Sequence, residues 1–252
     1  MAQAFDRVWH PGLLFKLKSF LPSTYYLILK SYLSNCSFHV KFGSSKSPLC
    51  PITAGVPQGS ILGPLLYTIF TADIPTHPYT TISTFADDTA ILSSSIDTAT
   101  VAKNLQSHLQ KVKEWLWKWR IKVNTDKSEH ITFTLRHQDS PPLFLGGVVI
   151  PRSTEVRYLG FHLDKRLTWN LHTRLKRQEL NRRYGLLRRL LGPQSKLSTH
   201  NKLTVYKTVI QPIWTYGIEL WGTAKPLNQR ESKLFKTKSS VAPYPMPSFT
   251  KN

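Results

Sequence analysis

The residues of this sequence best suited to chemistry are two adjacent carboxylates in Phe85-Ala86-Asp87-Asp88-Thr89. Neighbouring residues on a regular strand point to opposite faces, so Asp87 and Asp88 converge on one ion only where the chain turns. The runs Thr81 to Ala86 and Thr89 to Leu92 read as two short strands around them, which would supply that turn. Hard oxygen donors suit Mg²⁺, which keeps several waters and is held by a few carboxylates together with substrate phosphates. Two such ions ~4 Å apart activate an attacking hydroxyl and stabilise a departing pyrophosphate. Alone, the dipeptide is more often a solvated turn, so its surroundings decide its meaning.

Upstream stands Ala54-Gly55-Val56-Pro57-Gln58-Gly59-Ser60-Ile61-Leu62-Gly63-Pro64-Leu65. A rigid proline, the Gln58 amide and glycines such as Gly59 ahead of a helix would let backbone approach a ligand closely, or form an ordinary helix start. Ala4-Phe5-Asp6-Arg7-Val8-Trp9-His10, Lys122-Val123-Asn124-Thr125-Asp126-Lys127-Ser128 and Tyr158-Leu159-Gly160 complete the set of notable clusters.

Periodicity supplies the elements that must position these groups. Pro11 opens and Pro22 closes a helix with apolar residues from Leu13 to Leu21, and Tyr25 to Leu33 continues as a second. Alternation over Phe38 to Phe42 predicts a half-buried strand, followed by a small-residue loop over 43–51. Ile61 to Phe70 reads as a buried helix. Leu105, Leu109, Val112, Leu116 and Trp119 recur at i, i+4, i+7, i+11 and i+14, a strong amphipathic helix. Trp119 lies on that stripe and Trp115 borders it, so both read as core, whereas Trp117 faces elsewhere. Ile131 to Leu135 and Gly146 to Ile150 read as strands. From about Thr168 the texture becomes helical, with Leu175, Leu180, Tyr184, Leu187 and Leu191 on one approximate face and a further helix over Leu203 to Tyr216 around Pro212.

The chain has 252 residues, 34 Lys and Arg against 14 Asp and Glu, and a formal net charge of +20. Residues 1–126 hold 12 basic and 7 acidic side chains, and residues 127–252 hold 22 and 7, so the excess sits mainly in the second half. Arg174, Lys176, Arg177, Arg182, Arg183, Arg188 and Arg189 run along one predicted helix with Glu179 alone opposing them. That density calls for an anionic partner, and phosphate contact is preferred over a merely solvated face. The longest apolar run, Ile61 to Phe70, is about half a bilayer span, so a membrane partner is not expected. Basic residues interrupt every apolar run near the start, which argues against a signal peptide. An intracellular protein is expected, with nucleus and cytoplasm both open. Two cysteines make no disulfide scaffold, and the nine histidines show no zinc spacing.

Taken in order, AFDRVWH, AGVPQGSILGPLLY, TFADDTAIL, KVNTDKS and RYLGFHLD resemble the reverse transcriptase of non-LTR retrotransposons, most closely the jockey-type elements. Gln211-Pro212-Ile213-Trp214-Thr215-Tyr216-Gly217 and Leu220-Trp221-Gly222 resemble the region after the polymerase core in those elements. The resemblance implies an α+β right-hand polymerase. Its palm, an antiparallel sheet packed with helices, would occupy residues 1–167, and a mostly helical thumb residues 168–222. A poorly ordered tail over 223–252 would follow, and most of the fingers would be missing. It also implies roles. Asp87 and Asp88 would hold two Mg²⁺ ions. Phe5 would crowd a ribose 2′-hydroxyl, with Gln58 and Gly59 beside the incoming nucleotide. Lys127 would protonate the leaving pyrophosphate. Tyr158, Leu159 and Gly160 would form the primer grip, and the arginine-rich helix would line the channel for nucleic acid. The implied substrates are an RNA template, a DNA primer and deoxynucleoside triphosphates. Protein partners are left open.

One departure bears on activity. The first block of the family carries a metal-binding aspartate four residues before its alanine, which here falls ahead of Met1; Asp6 is the block's second aspartate. Loss of one member of a catalytic unit commonly costs orders of magnitude, so a truncated polymerase of low or no activity is expected. The alternatives are an inactive nucleic-acid-binding remnant that uses the basic second half, and a metal-dependent nuclease built on Asp87 and Asp88.

Overall fold

In a computed structural model, which describes residues 5–57, 59–136 and 140–222, the two prolines set the ends of the first helix. α1 runs His10–Phe20 with Pro11 in its first turn, and Leu21 is already extended, as a residue before proline must be. α2 (Ser23–Leu33) follows directly on Pro22. The single strand expected over Phe38 to Phe42 is instead two exposed fragments. β1 (Ser37–Phe38), β2 (Lys41–Phe42), β3 (Ser45–Lys46) and β4 (Cys50–Pro51) pair as β1 with β4 and β2 with β3, so the predicted loop over 43–51 carries strand as well. Alternation does not distinguish a half-buried strand from the arm of a solvated hairpin, and the turn at Gly43 folds this one back on itself.

α3 (Leu62–Thr71) leads to the hairpin of β5 (Thr81–Phe85) and β6 (Asp88–Leu92). α4 (Thr98–Lys118) starts at Asp97, whose carboxylate accepts the Thr100 amide at 2.9 Å. Its stripe is buried: Val112, Trp115, Leu116 and Trp119 meet Leu13, Leu17, Leu66 and Phe70 in one core, while Trp117 is 85% exposed. Lys16 is buried where α1, α3 and α4 join. Its Nζ donates to the Phe70 carbonyl and to Asp73, whose Oδ1 also accepts from Trp115 Nε1 at 2.9 Å. The same ammonium lies 3.7 Å from the centre of the Trp119 ring. Ile91 on β6 packs against this core, which anchors the hairpin.

β7 (Phe144–Leu145) and β8 (Val148–Val149) form a hairpin against α4, with Gly146 and Gly147 as its turn rather than the start of a strand. The strand expected over Ile131 to Leu135 does not form; beside it, His130 makes an isolated parallel bridge to Arg152. An apolar run becomes a strand only where a neighbour pairs along it.

β9 (Glu155–Tyr158) and β10 (Phe161–Asp164) pair in register across a two-residue turn. α5 (Asn170–Leu191) follows, then α6 (Thr199–Val205), a π-helical turn over Tyr206–Ile210, α7 (Gln211–Thr215) and α8 (Ile218–Trp221). The single helix expected over Leu203 to Tyr216 is thus interrupted. Pro212 has no amide hydrogen and crowds the carbonyl one turn back, and the widened turn just before it accommodates both. Leu180, Leu191 and Ile210 make the core of these helices.

The chain divides into one unit holding residues up to Thr132 with His137–Ser153, and another holding Phe133–Arg136 with residues from Thr154. The β9–β10 hairpin clusters with the helices because Asp164 ties it to α5. Its carboxylate accepts the amides of Arg166, Thr168 and Trp169. The architecture is mixed helix and strand, with five two-stranded antiparallel sheets among the described residues. Both cysteines are free thiols, and no helix among the described residues is long and apolar enough to cross a membrane. The expected tail over 223–252 lies outside the described residues.

Candidate active site

Backbone hydrogen bonds bring the first two sequence blocks together. The Gly55 amide donates to Val8 O and the Val56 amide to Phe5 O, both at 2.8 Å, and Trp9 bridges Ala54. His10 adds a side-chain tie, its Nε2 donating to the Gly55 carbonyl at 2.6 Å. Gly55 is required by this join. Its φ is +98°, and a Cβ there would stand 3.0 Å from Asp6 O and 3.1 Å from Asp6 Cα. Gly55→Ala is therefore expected to destabilise the first unit by at least about 2 kcal/mol, read as a lowered urea midpoint. A midpoint equal to that of the parent would show that the join yields without cost.

Phe5, in the 3₁₀ turn Phe5–Arg7, packs against Tyr67 on α3 with ring centroids 4.8 Å apart. Tyr67 is buried, and its phenol pKa is pushed up to about 12, first by that burial and then by the negative charge of Asp87. The phenol thus keeps its proton at physiological pH. Tyr67 links Phe5, the segment leading into Gln58 and Asp87 in one neighbourhood. It was not singled out in the sequence, although it closes the AGVPQGSILGPLLY block on an apolar helix.

The carboxylate pair sits where the hairpin reverses. Phe85 pairs with Asp88, leaving Ala86 and Asp87 as the two turn residues, with Ala86 at φ +49°. Such a φ is uncommon for a residue with a Cβ and fits the tight turns that close two-residue hairpins. Asp87 is therefore a turn residue and Asp88 the first of its strand, which releases them from the opposed directions of a regular strand. Both are exposed. Among the described residues no three His, Cys, Asp or Glu side chains gather as a metal site. The pair still suits a hard divalent ion, because Mg²⁺ takes one or two carboxylates and completes its shell with water and phosphate oxygen.

The other expected site residues are more dispersed. Gln58 lies outside the described residues, and Gly59 turns beside it at φ +84°. Lys127 is exposed at the end of the 3₁₀ turn Thr125–Lys127, and among the described residues nothing joins its ammonium to the acid pair. Tyr158, Leu159 and Gly160 belong to the other unit, at the β9–β10 turn. Of the seven basic residues on α5, Arg174, Arg182, Arg183, Arg188 and Arg189 are exposed, while Lys176 and Arg177 are half-buried. Glu179 binds Arg182 through both Nε (2.9 Å) and Nη2 (2.8 Å), and Arg183 through Nε (2.9 Å), which offsets part of the positive charge at mid-helix. Lys176 stands over the Tyr216 ring at 5.2 Å, and burial pushes its pKa down.

Residues 1–163 match the family described as reverse transcriptase (RNA-dependent DNA polymerase). The chain is 37% identical over 245 residues to the RNA-directed DNA polymerase from mobile element jockey of Drosophila melanogaster, an alignment covering 94% of this chain and 27% of that protein. It is 40% identical over 227 residues to the probable RNA-directed DNA polymerase from transposon X-element of the same fly, covering 88% and 25%. For the corresponding protein of transposon BS the figures are 39% over 252 residues, 96% and 28%. The chain spans about a quarter of the length of the curated relatives it matches.

Proposed function

Because this chain belongs to the reverse transcriptase (RNA-dependent DNA polymerase) family, we propose that it joins deoxynucleotides to a DNA primer on an RNA template, as part of a non-LTR retrotransposon polymerase. The observation that carries this reading is the junction at Tyr67, where the Phe5 turn and the Asp87 charge meet beside the segment leading into Gln58. A nuclease needs the acid pair but has no use for the other two elements.

Asp87 and Asp88 are the residues that would hold Mg²⁺. When bound, two ions favour ionisation of the primer 3′-hydroxyl and offset charge on the pyrophosphate. Phe5, braced by Tyr67, presents its ring to the sugar of the incoming nucleotide and crowds a 2′-hydroxyl. Gln58 and Gly59 line the nucleotide, and Lys127 gives a proton to the leaving group. Tyr158, Leu159 and Gly160 hold the primer end, and the exposed arginines of α5 contact phosphates in a salt-dependent manner. In this reading residues 1–167 are the palm and 168–222 the thumb-like helices.

A labelled DNA primer annealed to RNA tests it. Addition of deoxynucleotides in the order dictated by the template, dependent on Mg²⁺ and weakened by salt, is the expected result. Strand breakage without added nucleotides would instead favour the nuclease. Salt-sensitive binding without extension, unchanged by Asp87→Asn, would leave only a nucleic-acid-binding remnant.

A further inference from the structure

The segment Gln211 to Gly217 stands out in the sequence yet has no part in the mechanism above. Its last two residues, Tyr216 and Gly217, reach back to the β9–β10 turn, Tyr216 meeting Leu159 across 57 residues, and both ends lie within one unit. The turn is unusual in its own backbone. Leu159 has φ +46° and Gly160 φ +79°, the pattern of a tight hairpin turn in which a branched side chain such as leucine is disfavoured. The strand ladder leaves the Leu159 carbonyl at the tip, and Tyr216 supplies its partner, the hydroxyl donating to Leu159 O at 2.8 Å. The Tyr216 ring also stacks on Phe161, the first residue of β10, at 5.1 Å and 21° between planes.

Gly217 makes that stack possible. A Cβ at this position would stand 2.2 Å from the Phe161 ring, and its φ is +63°. Trp221 fixes the other side, its Nε1 donating to Tyr216 O at 3.0 Å. Hydroxyl, ring and the absent side chain of the next residue therefore all act on one four-residue turn.

We propose that Tyr216 is a positioning residue that fixes the backbone of the Tyr158-Leu159-Gly160-Phe161 turn, and through it the seat of a primer 3′ end. The second half of this statement rests on the primer-grip reading of the turn. Tyr216→Phe keeps the ring and removes only the hydroxyl; Gly217→Ala keeps the tyrosine and displaces Phe161. In the full chain, hydrogen exchange over residues 155–164 is expected to quicken about fivefold at the turn in Tyr216→Phe, and also to quicken in Gly217→Ala. Anisotropy with a recessed RNA–DNA template–primer is expected to show about fivefold weaker binding for Tyr216→Phe, with affinity for the RNA strand alone unchanged. A general loss of folding would weaken both ligands together, and so would count against a positioning role. Unaltered exchange at the turn in both variants overturns the proposal. Faster exchange with undiminished binding of the recessed end keeps Tyr216 as the clamp of the turn and overturns the primer-grip reading instead.

Discussion

Asp87→Asn is expected to bring the Mg²⁺-dependent primer extension of the parent chain down to background, a loss of about 10³-fold where the full metal-binding set is present. Asparagine has almost the same shape as aspartate, and the turn it occupies is set by the pairing of Phe85 with Asp88 and by Ala86. The substitution therefore removes charge and leaves the hairpin in place. An amide is a poor ligand for a hard ion that needs carboxylate and phosphate oxygen. A spectroscopic check stands apart from activity. Burial and the Asp87 charge together hold the Tyr67 phenol at about 12, so removing the charge lets that pKa fall, while burial keeps it above the ordinary tyrosine value. With ten tyrosines in the chain, the difference between the ultraviolet titrations of parent and variant reads this change. Extension within a fewfold of the parent, combined with an unmoved tyrosine titration, would take Asp87 out of the site.

The second large effect concerns acid stability. His172, in the first turn of α5, is fully buried among the rings of Phe161, Trp169 and Trp221. Its Nδ1 accepts the His162 amide at 3.3 Å, so the neutral ring carries its proton on Nε2, which has no hydrogen-bond partner among the described residues. Burial first, then the positive charges of Lys176 and His162, push its pKa down to about 4. The unfolded chain takes up this proton near pH 6.5 and the folded chain does not. Stability is therefore highest above pH 6.5 and falls as pH drops from 6.5 towards 4, by up to about 3 kcal/mol from this one group.

Asp164 adds to the loss below that window. Partial burial disfavours its charge, but hydrogen bonds from Thr168, Arg166 and Trp169 outweigh that and hold its carboxyl below the usual value. Protonating it at still lower pH weakens the tie between β10 and α5. His172→Phe, neutral at every pH, is expected to melt with a shallower pH slope between 6.5 and 4 than the parent; His162, whose pKa is also lowered by burial and by Arg157 and Lys176, and His130, lowered by burial and by Arg152, contribute to the remainder. Equal slopes in the two proteins would mean that His172 does not control the acid transition.

Different parts of this molecule were legible to different degrees. Helices α1, α3, α4 and α5 follow from apolar spacing and from proline and cap residues, because a helix satisfies its backbone locally and displays its period in consecutive residues. Strands depend on partners elsewhere. Phe38 to Phe42 and Ile131 to Leu135 carry suitable residues, but the first folds back at Gly43 and the second lacks a paired neighbour along its length. The π-helical turn at Tyr206–Ile210 answers to Pro212, whose effect on its helix could be foreseen as a break but not as a widened turn.

By itself the sequence determined the family, the order of its blocks, the acidic pair at a hairpin turn and the arginine-rich helix, since each is a matter of residue type at short spacing. Tertiary structure alone decided that Tyr67 joins Phe5 to Asp87, that Gly55 is needed for the Asp6 backbone to approach, and that Tyr216 closes on Leu159. It also set the two titrations argued above, at Tyr67 and His172. These are contacts between residues far apart in the chain. Their strength comes from burial and exclusion of water, which exist only once separate elements have packed together.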